Sequence, residues 1–497
     1  MSSTVVQKPQ LTGKLITTIA VICLGSLQFG YHMAELNSPE SIISCQMSKP
    51  GKVPYEESLF GSHNFAKCIP LSPENVGLVT SIFSIGGLIG SFYIGSFADK
   101  LGRKKTSLIH CSIYFLGSML NGLSNSYYTL LVGRFIAGLG AGAALVTTPI
   151  FINEIAPSDY RGFLGSMNQV SVNIGILFTQ LLALVWCDDN NWRLLLIMGA
   201  VIALVNFLLI VVYVDESPMW LLNKGFSGRA ATVLHKLRGG DYVQSRNEVH
   251  RWRNPGESSS VENDTLLDTT DSDVNEETTP SSDSSVSLEA YMKSSEYRNS
   301  KIVATGILIF QQFCGINSII FYGVSVLVAI FPKHAIFINC LISVVNVVVT
   351  FGAAPLTDKL GRKPLLLTSV SVMGLLTIIM GIGIISSSSI FSIVGTFSYI
   401  TFFAVGLGPI PFLLVSEVTQ PKAKALAQSW GTTMNWLATF IVGFLFPILK
   451  NSWIGGGVYF IFTLMCAISF VFIKYWIPET KGANSYEEVW GLPIRTD

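Results

Sequence analysis

The sequence predicts an all-α membrane protein: twelve transmembrane helices arranged as two six-helix halves. Three observations carry that prediction, namely scarce charge, the number of long apolar runs, and a basic motif that occurs twice at matching places. Only 13% of the 497 residues are charged while 50% are hydrophobic, and the mean hydropathy is +0.51; a soluble domain carries roughly 25% charge. A bilayer asks for about 20 apolar residues per helix, and six such runs (15–36, 76–98, 106–125, 129–151, 163–187 and 193–214) precede the one long hydrophilic segment. Six more follow it, at 302–330, 335–357, 364–386, 390–416, 428–449 and 455–477. The expected organisation is a tail at 1–14, a first half at 15–214, a middle loop at 215–301, a second half at 302–477 and a tail at 478–497.

The same composition excludes several function classes. A net charge of +1 argues against a nucleic-acid partner, and eight cysteines without a CxxC pair give no metal site. Six scattered histidines offer no nucleophile–base pair, so neither an enzyme nor a cofactor is expected. The first thirteen residues are polar and lack a compact apolar core with a small-residue cleavage site, so no removable signal peptide is expected.

Taken in order, the basic residues set the topology, because short cytosolic loops collect Lys and Arg. Lys100, Arg103, Lys104 and Lys105 follow span two, Arg161 follows span four, Lys359, Arg362 and Lys363 follow span eight, and Lys422 and Lys424 follow span ten. Both termini and the middle loop should therefore be cytosolic. The outer loop Asn37 to Asn75 holds Cys45 and Cys68, which an oxidising compartment permits, without requiring, to pair. After spans two and eight stand GSFADKLGRKK (Gly95 to Lys105) and APLTDKLGRKP (Ala354 to Pro364). The shared DKLGRK reads as a tight charged turn in which glycine bends the chain and Asp99 or Asp358 caps a helix or pairs with arginine. Its repetition at the same place supports an internal duplication.

Within the middle loop, Gly225 to Trp252 is compatible with short helices. The insert Pro255 to Ala290 has ten acids, no base and fourteen Ser or Thr, a composition that cannot bury enough apolar surface to order itself. It reads first as a spacer, with a phosphorylation-controlled element as the alternative. The single N-x-S/T sequon, Asn263 to Thr265, falls on the cytosolic side, so no N-glycan is expected.

The chemistry concentrates in FQQFCGINSIIFYG (Phe310 to Gly323). It sets Gln311, Gln312 and Asn317 into a spanning helix, where an unpaired amide costs several kcal/mol, roughly. Gly315 weakens that helix, and a broken helix bearing amides at mid-membrane depth is how transporters build a small polar site. Three amides beside Phe321 and Tyr322 suit a ligand with hydroxyls and an apolar ring face; simple interhelical glue is the competing reading.

Taken together with DKLGRK, five further motifs give the chain a family resemblance: GRFIAGLGAG with Arg134, INEIAPSDYRG with Glu154 and Arg161, DESPMWLL with Glu216, GLGPIPFLLVSE with Phe412 and Glu417, and PETKG with Glu479. In this order and spacing the chain resembles a sugar porter of the major facilitator superfamily over nearly its whole length, apart from the insert and the first outer loop. FGYHMAELNSP (Phe29 to Pro39) resembles most a fungal hexose-transporter-like branch associated with vacuolar membranes. The resemblance implies a monomeric carrier of a monosaccharide in the lipid bilayer of a vacuolar or plasma membrane, working by alternating access.

The family match also implies residue roles. Sugar-binding amides fall at Gln169, Gln311, Gln312, Asn317, Asn346 and Asn435, with Trp436 and Phe412 beside them. A hexose offers about five hydroxyls, each donor and acceptor, which Asn and Gln match without net charge. Phe321 and Phe412 stand where Tyr and Trp are usual in the family, and Ala404 where an acid is common. Glu154, Arg161, Glu216, Asp358, Arg362, Glu417 and Glu479 read as cytosolic ion pairs that hold the outward-facing state closed. In proton-coupled members FGY is followed by Asp, which works with the arginine of span four, here Arg134; this chain has His32. A histidine beside a buried arginine should sit neutral, which points to facilitated diffusion. Glu35, one turn on and on the same face, could reach Arg134 instead and make the carrier a proton symporter. A non-transporting sugar sensor is the remaining alternative; such receptors bear long C-terminal tails, whereas about fifteen residues follow PETKG here.

Overall fold

A computed structural model of the chain describes residues 11–157, 160–240, 242–253, 288–328, 330–420, 423–482 and 486–491. Nearly all of the acidic insert, through residue 287, lies outside the described residues, as does the sequon Asn263 to Thr265. The first half begins with α1 (Gly13–Ala34), α2 (Pro73–Leu101) and α3 (Arg103–Gly122). It is completed by α4 (Tyr127–Ile155), α5 (Arg161–Trp186) and α6 (Trp192–Tyr213). Local sequence starts these helices: the hydroxyls of Thr12, Ser72 and Ser126 accept from the backbone N–H groups of Leu15, Asn75 and Thr129, and Pro73 follows Ser72 at the first helical position.

In the second half α7 is broken into Arg298–Phe313, Ile316–Ile320 and Gly323–Val328. Gly315 causes the first break: its φ of 103° suits only glycine, and a Cβ there would stand 2.6 Å from the Phe462 ring. Three unbroken helices are α8 (Ala335–Leu360), α9 (Arg362–Ile385) and α11 (Lys424–Lys450). Between them α10 runs Ser389–Phe402, takes a π turn over Phe403–Leu407 and resumes at Ile410–Glu417 beyond Pro409; α12 is Val458–Trp476. Short helices at Pro218–Asn223, Ser227–Arg238, Tyr242–Arg253 and Leu288–Lys293 lie between the halves in sequence.

Eleven described helices are long and apolar enough to cross a membrane. The twelfth, α3, falls short in hydropathy because its inward face carries buried Thr106, Ser107, His110, Ser118 and Asn121, which α4 and α6 cover. In lipid there is no hydrophobic drive between helices, so close backbone packing holds them. Small residues provide it: a Cβ on Gly138 would fall 2.1 Å from the Phe83 carbonyl, and one on Gly175 2.0 Å from that of Leu27, which seats α4 against α2 and α5 against α1.

The halves meet along α2 with α11 and along α5 with α8. At the end bearing the outer loop, Cys45 and Cys68 are disulfide-bonded, which settles the pairing that the sequence leaves open. There Asn37 of the first half donates from Nδ2 to the Ile320 carbonyl at 2.8 Å and accepts from Val324 N–H at 2.9 Å, closing this disulfide end across the halves. The opposite end carries the N-terminus of α1 and both DKLGRK turns.

Candidate functional site

The break in α7 turns its amides toward α10 and α11, where they form one buried network. Gln311 donates to the carbonyls of Leu407 and Gly408 at 3.0 and 2.9 Å, groups freed by the irregular turn of α10. Asn435 donates to Gln311 Oε1 at 2.8 Å and to the Leu308 carbonyl at 2.9 Å. Gln312 donates to Asn435 Oδ1 at 3.1 Å and accepts from Asn317 Nδ2 at 2.7 Å. Asn317 Oδ1 alone is left buried with no partner, an acceptor that a ligand hydroxyl would satisfy.

A second amide group spans the halves. Asn173 of α5 donates to Thr350 Oγ1 at 2.8 Å and faces Asn346 of α8 at 3.5 Å in both directions, while Gln169 donates to Asn173 Oδ1 at 3.4 Å. Gln169 and Asn346 are thus joined through Asn173, which the sequence reading passes over although it lies four residues from Gln169 on the same helix face.

Other expected binding residues stand apart from this network. Trp436 follows Asn435, yet its indole points into the first half, donates to Ser91 Oγ at 2.9 Å and is edge-on to Phe29 and Phe83. Phe412 is half-buried against the second-half core. Phe321 and Tyr322 are fully buried, and Tyr322 donates to the Gly443 carbonyl and stacks on Phe446. The two rings expected beside the ligand are therefore committed to packing.

His32, Glu35 and Arg134 do come together, all fully buried. Arg134 Nη1 donates to Glu35 Oε1 at 2.6 Å and to the His32 carbonyl at 2.8 Å, and Glu35 Oε2 lies 2.9 Å from His32 Nδ1. The guanidinium also sits 4.6 Å over the Phe83 ring, and Tyr114 stacks on the His32 ring. A buried charge needs this kind of pairing, and Glu35 supplies it one turn beyond the position that His32 fills.

At the DKLGRK end the ion pairs lie within each half, in matching geometry. Arg103 Nη2 donates to Glu154 at 2.8 Å, and Glu216 accepts from the backbone N–H of Arg103 at 2.7 Å. In the second half Arg362 Nη2 donates to Glu417 at 3.0 Å, and Glu479 accepts from the backbone N–H groups of Arg362 and Lys363 at 3.0 and 3.1 Å. Burial raises the Glu479 carboxyl, but N–H donors from Lys481, Arg362, Lys363 and Thr480 outweigh it and hold it below the usual carboxylate range. Arg161 corrects the expected set: it is exposed and makes no ion pair among the described residues, because Arg103 already takes Glu154. The signal for Arg103 was present in the repeated motif, where it matches Arg362. The Asp358 side chain lies outside what the structure describes.

Comparison with known proteins gives the site its context. The family profile described as "Sugar (and other) transporter" matches residues 18–490. The chain is 46% identical to the probable metabolite transport protein YBR241C of Saccharomyces cerevisiae, over 97% of this chain and 96% of that one. It is 41% identical to the vacuolar protein sorting-associated protein 73 of the same yeast, over 96% of each. Solute carrier family 2, facilitated glucose transporter member 1 of Gallus gallus is 30% identical over 97% of this chain and 93% of its own. Among solved structures, the inward-open conformation of the xylose transporter XylE from E. coli superposes with a TM-score of 0.73 at 23% identity, over 96% of this chain and 99% of that one.

Proposed function

This chain belongs to the sugar transporter family, as a multi-pass membrane protein of the major facilitator fold that transports sugar, and from that premise we propose that its cargo is a hexose carried by facilitated diffusion. The observation that carries the proposal is the uncharged network of Gln311, Gln312, Asn317 and Asn435, with one acceptor left open between broken helices. Neutral amides match sugar hydroxyls without binding an ion. Asn346, Gln169 and Trp436, on helices that line the contact between halves, complete the pocket as the halves rock about it, with Phe412 as an apolar neighbour.

The mode rests on His32 standing after FGY and on likeness to a relative named as a facilitated glucose transporter. In this reading the carrier is a monomer, and the Lys and Arg of the DKLGRK turns support cytosolic termini. The name of the relative associated with vacuolar protein sorting supports the vacuolar membrane over the plasma membrane. The pairs Arg103 with Glu154 and Arg362 with Glu417 brace the cytosolic ends of the halves as they move.

The test is uptake of labelled hexose into proteoliposomes with and without an imposed proton gradient. The final accumulation ratio should be unchanged when an uncoupler dissipates the gradient. One observation favours a second reading, proton symport: Glu35 lies between Arg134 and His32 at hydrogen-bonding distance. Uphill accumulation that collapses with uncoupler and is abolished by Glu35→Gln would establish that reading instead.

A further inference from the structure

Where the halves meet at the disulfide end they border a partly open cavity of about 250 Å³. One wall is Glu40 and Gln46, from the segment after α1, with Val76 of α2; the other is Tyr322 and Ser325 of α7 with Lys450 at the end of α11. The first wall is fixed to the first half. Cys45 is bonded to Cys68, Ile69 N–H donates to the Ile43 carbonyl, and Asp189 before α6 accepts from Lys49 N–H and Ser48 Oγ. Lys450 is fixed to the second half, donating to the carbonyl and hydroxyl of Ser325 at 2.9 and 2.7 Å. Separation of the halves would therefore carry Glu40 and Lys450 apart as parts of two rigid bodies.

Glu40 is partly exposed as a residue, but its Oε2 is enclosed and has no hydrogen-bond partner. The titratable groups that face it are Lys450 of α11 and Tyr322 of α7, and among the described residues neither makes a direct ion pair or hydrogen bond with it. We propose that Glu40 is a proton-binding site of the gate at the disulfide end: protonated, it lets the halves close over it, and ionised, it favours their separation. A buried, unpartnered carboxylate oxygen on the wall of this cavity is the group that a proton would relieve most directly.

The sign follows from burial. In the closed arrangement burial pushes the Glu40 carboxyl up to about 7 against the opposing pull of Lys450. Opened to water it would return toward 4.5, so the closed arrangement holds the proton more tightly. Closure is then favoured as pH falls through 7 and the effect levels off below 4.5; between pH 8 and 5.5 the closed-to-open ratio rises by about 30-fold.

The inference rests on the alternating-access reading, so its test does not use sugar. Val76 lines the cavity and is 4% exposed, and the six free cysteines are buried. A Val76→Cys variant in nanodiscs is labelled with maleimide from pH 8 to pH 5.5. Each rate is divided by that of the same cysteine in a Glu40→Gln background, which cancels the pH dependence of the thiol. The normalised rate should fall by up to about 30-fold toward acid pH, and Lys450→Met, which removes the opposing pull, should move the midpoint upward. A flat normalised rate, or a midpoint that Lys450→Met lowers or leaves in place, overturns the proposal. Hexose uptake that persists alongside a flat rate would sink the gate and spare the transport reading.

Discussion

Gln312 stands between two other amides, and that position sets what its loss would do. Its Oε1 accepts from Asn317 and its Nε2 donates to Asn435, so Gln312→Ala removes the proposed sugar contact and also frees two buried neighbours. One neutral hydrogen bond contributes about 0.5–1.5 kcal/mol, and a stranded buried partner adds about 1–3 kcal/mol. Sugar affinity in the purified, folded variant should therefore fall by roughly tenfold or more with membrane insertion unaffected. Isothermal titration showing unchanged affinity would remove Gln312 and its network from the binding site. The same reasoning at Arg134 explains why Glu35 is needed: a guanidinium with no exposed surface that lost its carboxylate would cost about 3–5 kcal/mol.

At the scale of elements, each DKLGRK turn is a glycine hinge locked by a distant glutamate. Gly102 and Gly361 hold φ values of 93° and 94° with ψ of 166° and 160°, a region open essentially to glycine alone. A Cβ would stand 2.3 Å from Glu216 Oε2 at the first and 2.8 Å from Glu479 Oε2 at the second. Either glycine changed to alanine should destabilise its half by about 1–3 kcal/mol from backbone strain, with displacement of the glutamate besides. Thermal unfolding in detergent reads this directly, and an unshifted midpoint for both variants would show that the turn tolerates a side chain. The breaks in α7 and α10 work in concert: Gly315 exposes the amide edge of α7, and the π turn of α10 presents the Leu407 and Gly408 carbonyls that Gln311 takes up.

For the whole molecule, a polar closure across the halves lies at the disulfide end, where Asn37, just beyond α1, bonds the broken α7, while the charged pairs opposite stay inside each half. The joining segment between the halves should be dispensable across its acidic part. Residues 255–287 contain nine acids and no base, a composition unsuited to building an apolar core, and rejoining their flanks should change closure entropy little. Removal should stop there, because Leu288–Lys293 is helical and Tyr291 is fully buried against Tyr297. A deletion of 255–287 that inserts normally should transport hexose at the parental rate in proteoliposomes. Loss of transport would make the segment a working part.

The sequence by itself determined what depends on local composition and spacing. Apolar runs of bilayer length follow from solvation of the backbone in lipid, and they placed the helices of both halves. The repeated DKLGRK showed the duplication, and QQFCGIN marked the broken helix, because amides inside an apolar run must find partners. What only the tertiary structure decided depends on which helix neighbours which. Arg103 rather than Arg161 meets Glu154; Asn173 bridges Gln169 to Asn346; Trp436 turns away from its neighbour Asn435 to bond Ser91; Glu35 reaches Arg134. Side chains of one helix point to several partners around its circumference, and sequence spacing gives the face but not the helix that covers it. The pairing of Cys45 with Cys68 and the placing of Glu40 and Lys450 on one cavity belong to the same class, since the separation of these residues along the chain carries no information about distance in space.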